Sequence, residues 1–234
     1  MSRKFSIRLV LYAGALAAYL LWQPLHNGWL RYGLPLALAV VWAGLLMLAW
    51  ERKPWRMAFL CLSLLAGLPL VMPGRELDRD RLTDRYLSSM RSFEGTRYVW
   101  GGEGQRGIDC SGLPRRGLRD ALLDQAVRGN GRAARMWLEQ WWYDTSAKAM
   151  GEGYRGFTRP AGIEGPLWKL DPALIHPGDL AVTGGGNHVM IHLGGGDWIQ
   201  SDPGPGKVII ARPDQVDNPW FRSKVSIHRW SVFE

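Results

Sequence analysis

Three uncharged apolar stretches near the start constrain this chain more than anything else in it. LVLYAGALAAYLLWQPL lies between Arg8 and His26, YGLPLALAVVWAGLLMLAW between Arg31 and Glu51, and MAFLCLSLLAGLPLVMPG between Arg56 and Arg75, each 17 to 19 residues long. At a helical rise of about 1.5 Å, such a stretch crosses a hydrocarbon core of about 30 Å. Trp22, Trp29, Trp50 and Trp55 fall at the ends, where amphipathic rings settle among head groups. A signal peptide would explain only the first stretch, and no small-residue cleavage site precedes Gln23. A buried soluble hairpin would explain the other two, but three such stretches in succession are hard to bury in so small a domain. The expectation is three transmembrane helices in residues 1–73, followed by one domain in residues 74–234.

Charge sets the orientation. The formal net charge is +8, but residues 1–73 hold seven Lys/Arg against one acid, whereas residues 74–234 hold 22 against 20. The second part is nearly neutral, so nucleic-acid binding is excluded. Arg3, Lys4 and Arg8 precede the first stretch, and Arg52, Lys53 and Arg56 follow the second, whereas Arg31 is the lone Arg or Lys of the first loop. Basic residues in short loops stay in the cytoplasm. The N-terminus is therefore expected inside, and residue 75 emerges outside after an odd number of crossings. In a bacterium this is the periplasmic or wall-facing side of the cytoplasmic membrane, and the bilayer is the first expected partner.

Past the membrane, RELDRDRLTDRYLSSMRS at 75–92 carries Leu77, Leu82, Tyr86, Leu87 and Met90 at helical spacing and predicts an amphipathic helix. Helical patterns follow at Leu113–Val127 and Arg132–Trp142. Strand patterns follow at Asp179–Thr183, His188–Leu193, Asp197–Ser201, Lys207–Ala211 and Lys224–Trp230, separated by Gly-rich and Pro/Asp/Asn turns. Helices first and a short antiparallel sheet afterwards is an α+β order. Residues 125–165 resist assignment; their Trp137, Trp141, Trp142, Tyr143, Tyr154 and Phe157 read as core filling, with a cleft wall or a membrane-facing surface as alternatives.

The two cysteines differ in setting. Cys61 is a small apolar residue within the third stretch, whereas Cys110 sits in GIDCSGL where a loop enters a helix, so a disulfide between them is not expected. A helix N-terminus stabilises a thiolate and offers N–H donors to an oxyanion. Asp109 and Ser111 flank the thiol and equally suit simple capping of that helix. Pro114 lacks an N–H and predicts a late start or a kink. His188, after a GGGN turn, is the natural partner of Cys110, and together they predict a thiolate at a pH well below the free-Cys value of about 8.5. His192 faces the same way about 13 Å further along a strand and is the weaker base. His26, His176 and His228 read as ordinary loop or strand residues. No metal or cofactor is called for.

GTRYVWGG at 95–102, GIDCSGL at 107–113, PGDL at 177–180 and HVMIHLGGGDWIQ at 188–200 resemble the NlpC/P60 papain-like cysteine peptidases, over roughly residues 85–211. The resemblance implies a papain-like α+β fold and cleavage of bacterial cell-wall peptides, typically beside D-glutamate or diaminopimelate. It implies Cys110 as nucleophile, His188 as base and Gln200 as the third polar residue. Tyr98 would border the oxyanion region, and Asp109 and Ser111 would contact substrate. Asp202, two residues past Gln200, is the alternative third member. The membrane-bound first third lies outside the family pattern. Two other function classes remain: a papain-like thiol hydrolase or acyltransferase acting on lipid or lipoprotein, and an inactive envelope scaffold module.

Overall fold

The computed structural model describes residues 3–214 and 217–234. Three helices open it: α1 (Arg3–Trp22), α2 (Gly28–Ala49) and α3 (Lys53–Val71), of 20, 22 and 19 residues. All three are long and apolar enough to cross a membrane, and they turn Leu, Tyr and Trp side chains outward rather than into a protein core. The turn at residues 23–27 folds α2 back against α1, with Asn27 capping α2 through Leu30 N–H at 3.2 Å. Small residues let the two approach: Ala13, Ala17, Ala37 and Gly44 are buried between them, and a Cβ on Gly44 would run into Val10.

The amphipathic helix expected at 75–92 is α4 (Arg79–Arg91), capped by Asp78 and buried along Leu82, Tyr86 and Met90. A small hairpin of β1 (Glu103–Gly104) and β2 (Gly107–Ile108) precedes α5 (Gly112–Ala126), which packs on α4. The delayed start expected from Pro114 does not occur. Pro114 falls in the first turn of α5, where helical N–H groups have no partner in any case. Asn130 caps α6 (Gly131–Trp142) and also bonds the backbone of Arg75 and Glu76, which ties the exit of α3 to the domain. A short α7 (Ala147–Gly151) leads to the sheet.

The sheet holds β3 (Thr158–Pro166), β4 (Leu180–Thr183), β5 (Val189–Gly194), β6 (Asp197–Asp202), β7 (Lys207–Ala211) and, after a four-residue helix α8 (Pro219–Arg222), β8 (Lys224–Trp230). Its order is β3-β8-β4-β5-β6-β7, with every pair antiparallel. Val189, Ile191 and Ile199 face Leu82, Tyr86 and Leu113 of α4 and α5, while Met190, Trp198 and Ile227 pack on the opposite face. The fold is α+β, as expected. β3 is the strand of this sheet that the sequence reading missed, as it missed the small β1–β2 hairpin. Pro160 and Pro166 break its pattern, which an edge strand tolerates because one side of it has no ladder to complete.

The aromatic-rich segment divides. Phe157 and Trp137 pack against the main core, as core filling requires, but Trp141 and Trp142 go to the apolar helices. Trp141 meets the His26 ring edge-on at 5.6 Å and Trp142 meets Tyr32 at 5.4 Å.

Candidate active site

Cys110 lies one residue before the N-cap of α5, and the chain there is held closely. Asp109 N–H donates to Gly102 O at 3.0 Å, and a Cβ on Gly112 would strike that same carbonyl. Asp109, two residues before the N-cap Ser111, supplies the capping side chain. Its Oδ1 accepts from Gly112 N–H at 2.6 Å and from the Ser111 hydroxyl at 3.0 Å, and its Oδ2 accepts from Gly101 N–H at 2.7 Å. The carboxylate thus has a structural task at the site, and Ser111 serves it. Tyr98 hangs from Gly206 O through its N–H at 2.7 Å. Burial, with Cys110 and Asp109 close by, pushes its phenol up to about 12.

The thiol is buried and meets the backbone N–H groups of Val189 and Ser111. Burial first, and then the Asp109 carboxylate, pushes it up to about 12, with the backbone donors only partly offsetting them. This reverses the expected depressed thiolate. A helix terminus alone does not overcome desolvation with a carboxylate next door, and the imidazole that should help is itself uncharged.

His188 ends the turn before β5, with its N–H donating to Thr183 Oγ1 at 3.0 Å. Its Nε2 lies 2.6 Å from Gln200 Oε1. An amide oxygen only accepts, so Nε2 carries the proton and Nδ1 is left as the basic nitrogen. The Trp220 indole stacks on the ring at 4.2 Å with an interplanar angle of 17°. Burial lowers the His188 pKa, and the Gln200 bond and the Asp202 charge restore only part of it. Among the described residues no hydrogen bond joins Cys110 to His188; the thiol instead meets the N–H of the next residue, Val189.

Asp202 does not reach the imidazole. It accepts from Asn218 Nδ2 at 2.7 Å, from Trp220 Nε1 at 3.2 Å and from Gly204 N–H at 2.9 Å. Its contact with the site runs through the indole it holds over His188. His192 lies further along β5 on the same face, against Trp198, and has no part in this arrangement.

Sequence reasoning missed Trp220 and Asn218, which lie in a Pro/Asp/Asn stretch read as a turn. It also missed a buried charge cluster under the cleft. Glu103 lies 2.7 Å from Arg115, 2.7 Å from Arg119 and 3.3 Å from His26 Nδ1, and Arg115 also reaches Asp144. These are close charge contacts whose N–H···O angles fall short of hydrogen bonds to Glu103. Burial would raise the Glu103 pKa, but Arg115, Arg119 and His26 outweigh it and hold the carboxyl below its ordinary value. His26, read as an ordinary loop residue, is instead buried and bonded to Trp141 O at 2.8 Å. Arg115 and Arg119, four apart on a buried helix face, were the available signal. His26, Glu103, Arg115 and Asp144 of this cluster line a cavity of about 460 Å³ that is also lined by Cys110, Ser111 and Trp100.

No family model matches the chain, and no curated protein matches it. Several solved structures are similar to it. The P60 domain of an antigen from M. avium subspecies paratuberculosis is 21% identical over 68% of this chain and 99% of that one, with a TM-score of 0.40. The peptidoglycan hydrolase RipB from Mycobacterium tuberculosis is 21% identical over 88% of this chain and 94% of that one, with a TM-score of 0.41. An NlpC/P60 family protein from Bacillus cereus is 16% identical over 69% of this chain but only 41% of that longer one, with a TM-score of 0.40.

Proposed function

We propose that this chain is a membrane-anchored cysteine peptidase of the NlpC/P60 type that hydrolyses amide bonds of cell-wall stem peptides, with Cys110, His188 and Gln200 as its catalytic residues. The observation that carries the reading is the 2.6 Å contact from His188 Nε2 to Gln200 Oε1, which directs the basic Nδ1 away from Gln200. The thiol lies at the start of α5 beside the N–H of Val189, the next residue after His188. The four motif blocks of the sequence support the same conclusion.

The chemistry begins from a neutral thiol and a neutral imidazole. As Sγ attacks the scissile carbonyl carbon, Nδ1 takes the thiol proton, and the forming oxyanion is received by backbone N–H groups at the start of α5. The imidazolium then protonates the leaving amine as the C–N bond breaks, which leaves a thioester on Cys110. Water attacks the thioester while Nδ1 takes its proton, and the acid and the thiol are released.

The domain is placed outside the cytoplasm by the basic residues of the loops. Two contacts join the domain to the end of α1 and the end of α3, whichever side that is: His26 N–H, in the turn after α1, bonds Gly101 O at 2.7 Å, and Arg135 bonds Met72 O at 3.0 Å. Both points lie on one side of the membrane in this topology. A cysteine introduced by Ser88→Cys in a Cys110→Ala background should be labelled by an impermeant thiol reagent in intact spheroplasts; labelling only after lysis would reverse the orientation. For the activity, the full chain in detergent is incubated with purified sacculi and the released fragments are analysed by mass. New peptide termini that vanish in Cys110→Ala are expected, and intact stem peptides after exhaustive digestion would overturn the reading.

A further inference from the structure

A second cavity, of about 500 Å³, lies between the apolar helices and the domain. Leu20 of α1 and Leu34 and Leu38 of α2 form one wall, and Leu123, Trp137 and Trp141 of α5 and α6 form the other. One wall therefore belongs to helices that are long and apolar enough to cross a membrane. In a bilayer such helices are surrounded by hydrocarbon chains, so an apolar chain is the natural occupant of this space.

The other end of the cavity is polar. Arg119 lines it and is 6% exposed; its Nη2 lies 2.7 Å from Glu103, while its Nη1 is buried with no hydrogen-bond partner. Arg115 draws on the same Glu103 carboxylate, and Arg116, beside the cavity, is paired with Asp120 at 2.9 Å. Arg115 has Asp144 as a second partner, whereas Arg119 has only Glu103 among its ion pairs and its Nη1 is left over. Burial lowers the Arg119 pKa, Arg115 and Arg116 lower it further, and Glu103 and Asp120 raise it. A planar guanidinium with a free N–H suits a phosphate oxygen. An apolar wall ending in such a group matches an amphiphile rather than a free anion or a plain hydrocarbon.

We propose that this cavity binds one membrane lipid with a phosphate-bearing head, its chain lying between the α1–α2 pair and α6 and a phosphate oxygen on Arg119 Nη1. His26 and Glu103 line both this cavity and the cleft that holds Cys110, so the lipid head lies across a shared wall from the nucleophile. The site goes beyond the peptidase reading and does not depend on it, because its test reads binding.

The full chain, purified in detergent, is incubated with phosphatidylglycerol or with a phosphate-free glycosyl diacylglycerol of the same chains, and retained lipid is counted by native mass spectrometry. One phosphatidylglycerol per chain is expected, preferred at least tenfold over the sugar lipid. Arg119→Gln should abolish the preference and Arg119→Lys should keep part of it. Equal retention of the two lipids, or an Arg119→Gln chain that still discriminates, overturns the proposal. Inorganic phosphate at millimolar concentration should not displace the lipid; displacement would mean a free-anion site and overturn it too. Should Arg119→Gln fail to fold, Leu38→Trp narrows the cavity away from the buried charges: loss of the bound lipid supports the proposal, and unchanged retention overturns it.

Discussion

The two halves of the candidate site are built differently. The imidazole of His188 is fixed from two directions, by Gln200 at 2.6 Å on one ring nitrogen and by the Trp220 indole at 4.2 Å on one face. The thiol of Cys110 has backbone N–H groups near it that favour its ionisation and a carboxylate, Asp109, that opposes it. One half is preorganised and the other is held uncharged. Such a site does not keep a standing ion pair; it moves the proton only as the new bond forms. Burial favours that choice, because a buried thiolate and imidazolium would each lose solvation that the surroundings do not replace.

The sharpest way to break this comparison is to remove its preorganised half. His188→Ala should lower kcat on stem-peptide substrate by about 10² to 10⁴, the usual worth of a positioned general base, and exogenous imidazole should restore some of it. If His192→Ala is the variant that loses activity instead, the base has been assigned to the wrong histidine.

Gln200→Ala comes next. A neutral amide stabilises imidazolium less than a carboxylate does, so kcat should fall by about 10 to 10², with little change in KM. Gln200→His should keep most of the activity because an imidazole can accept the same bond. A fully active Gln200→Ala beside a dead Asp202→Ala would shift the third role to Asp202, against the 2.6 Å contact.

Trp220 is a positioning residue by this reasoning, and its effect should be smaller. An aromatic stack is worth about 0.5 to 1.5 kcal/mol, so Trp220→Ala should lower kcat roughly two- to tenfold. The pH profile separates positioning from mere packing. Burial lowers the His188 pKa; removing the indole that covers the ring admits water and raises it. Imidazolium then forms at higher pH, and the acid limb of the rate profile should move upward. An unmoved limb would reduce Trp220 to a structural residue.

The smallest expected effect concerns the thiol itself. With Cys110 pushed up to about 12, its alkylation rate should still be climbing between pH 7 and 9, because the thiolate fraction grows tenfold per unit until the pKa is reached. Asp109→Asn retains a capping side chain but removes the charge that raises the thiol pKa, so alkylation at pH 8 should quicken a few-fold. A wild-type rate that has already levelled off below pH 8 would show a standing thiolate and make the two halves alike.

Legibility in the sequence followed the range of the interaction. The strand patterns ending in GGG and PGPG turns placed β5, β6 and β7 within about two residues, because period-two alternation and turn glycines act over a few neighbours. The same parity puts Trp198, Gln200 and Asp202 on one face of β6, but it does not say which of the two polar residues meets His188. The structure answers that through Trp220 and Asn218, which occupy Asp202. β3 escaped because its prolines suit only an edge, and the position of an edge is a property of the whole sheet. The Glu103 cluster escaped because it gathers β1, α5 and the turn after α1, segments far apart along the chain.

The sequence alone determined the three apolar stretches, the sign of the charge around them, the helix that follows Cys110 and the alternation of the strands. Each is written in residues within a turn or two of one another. The charge state of the Cys110 thiol was decided by the tertiary structure. A helix terminus is a local feature and favours the thiolate, whereas desolvation sums the contributions of every segment packed around the sulfur, and here that sum is larger.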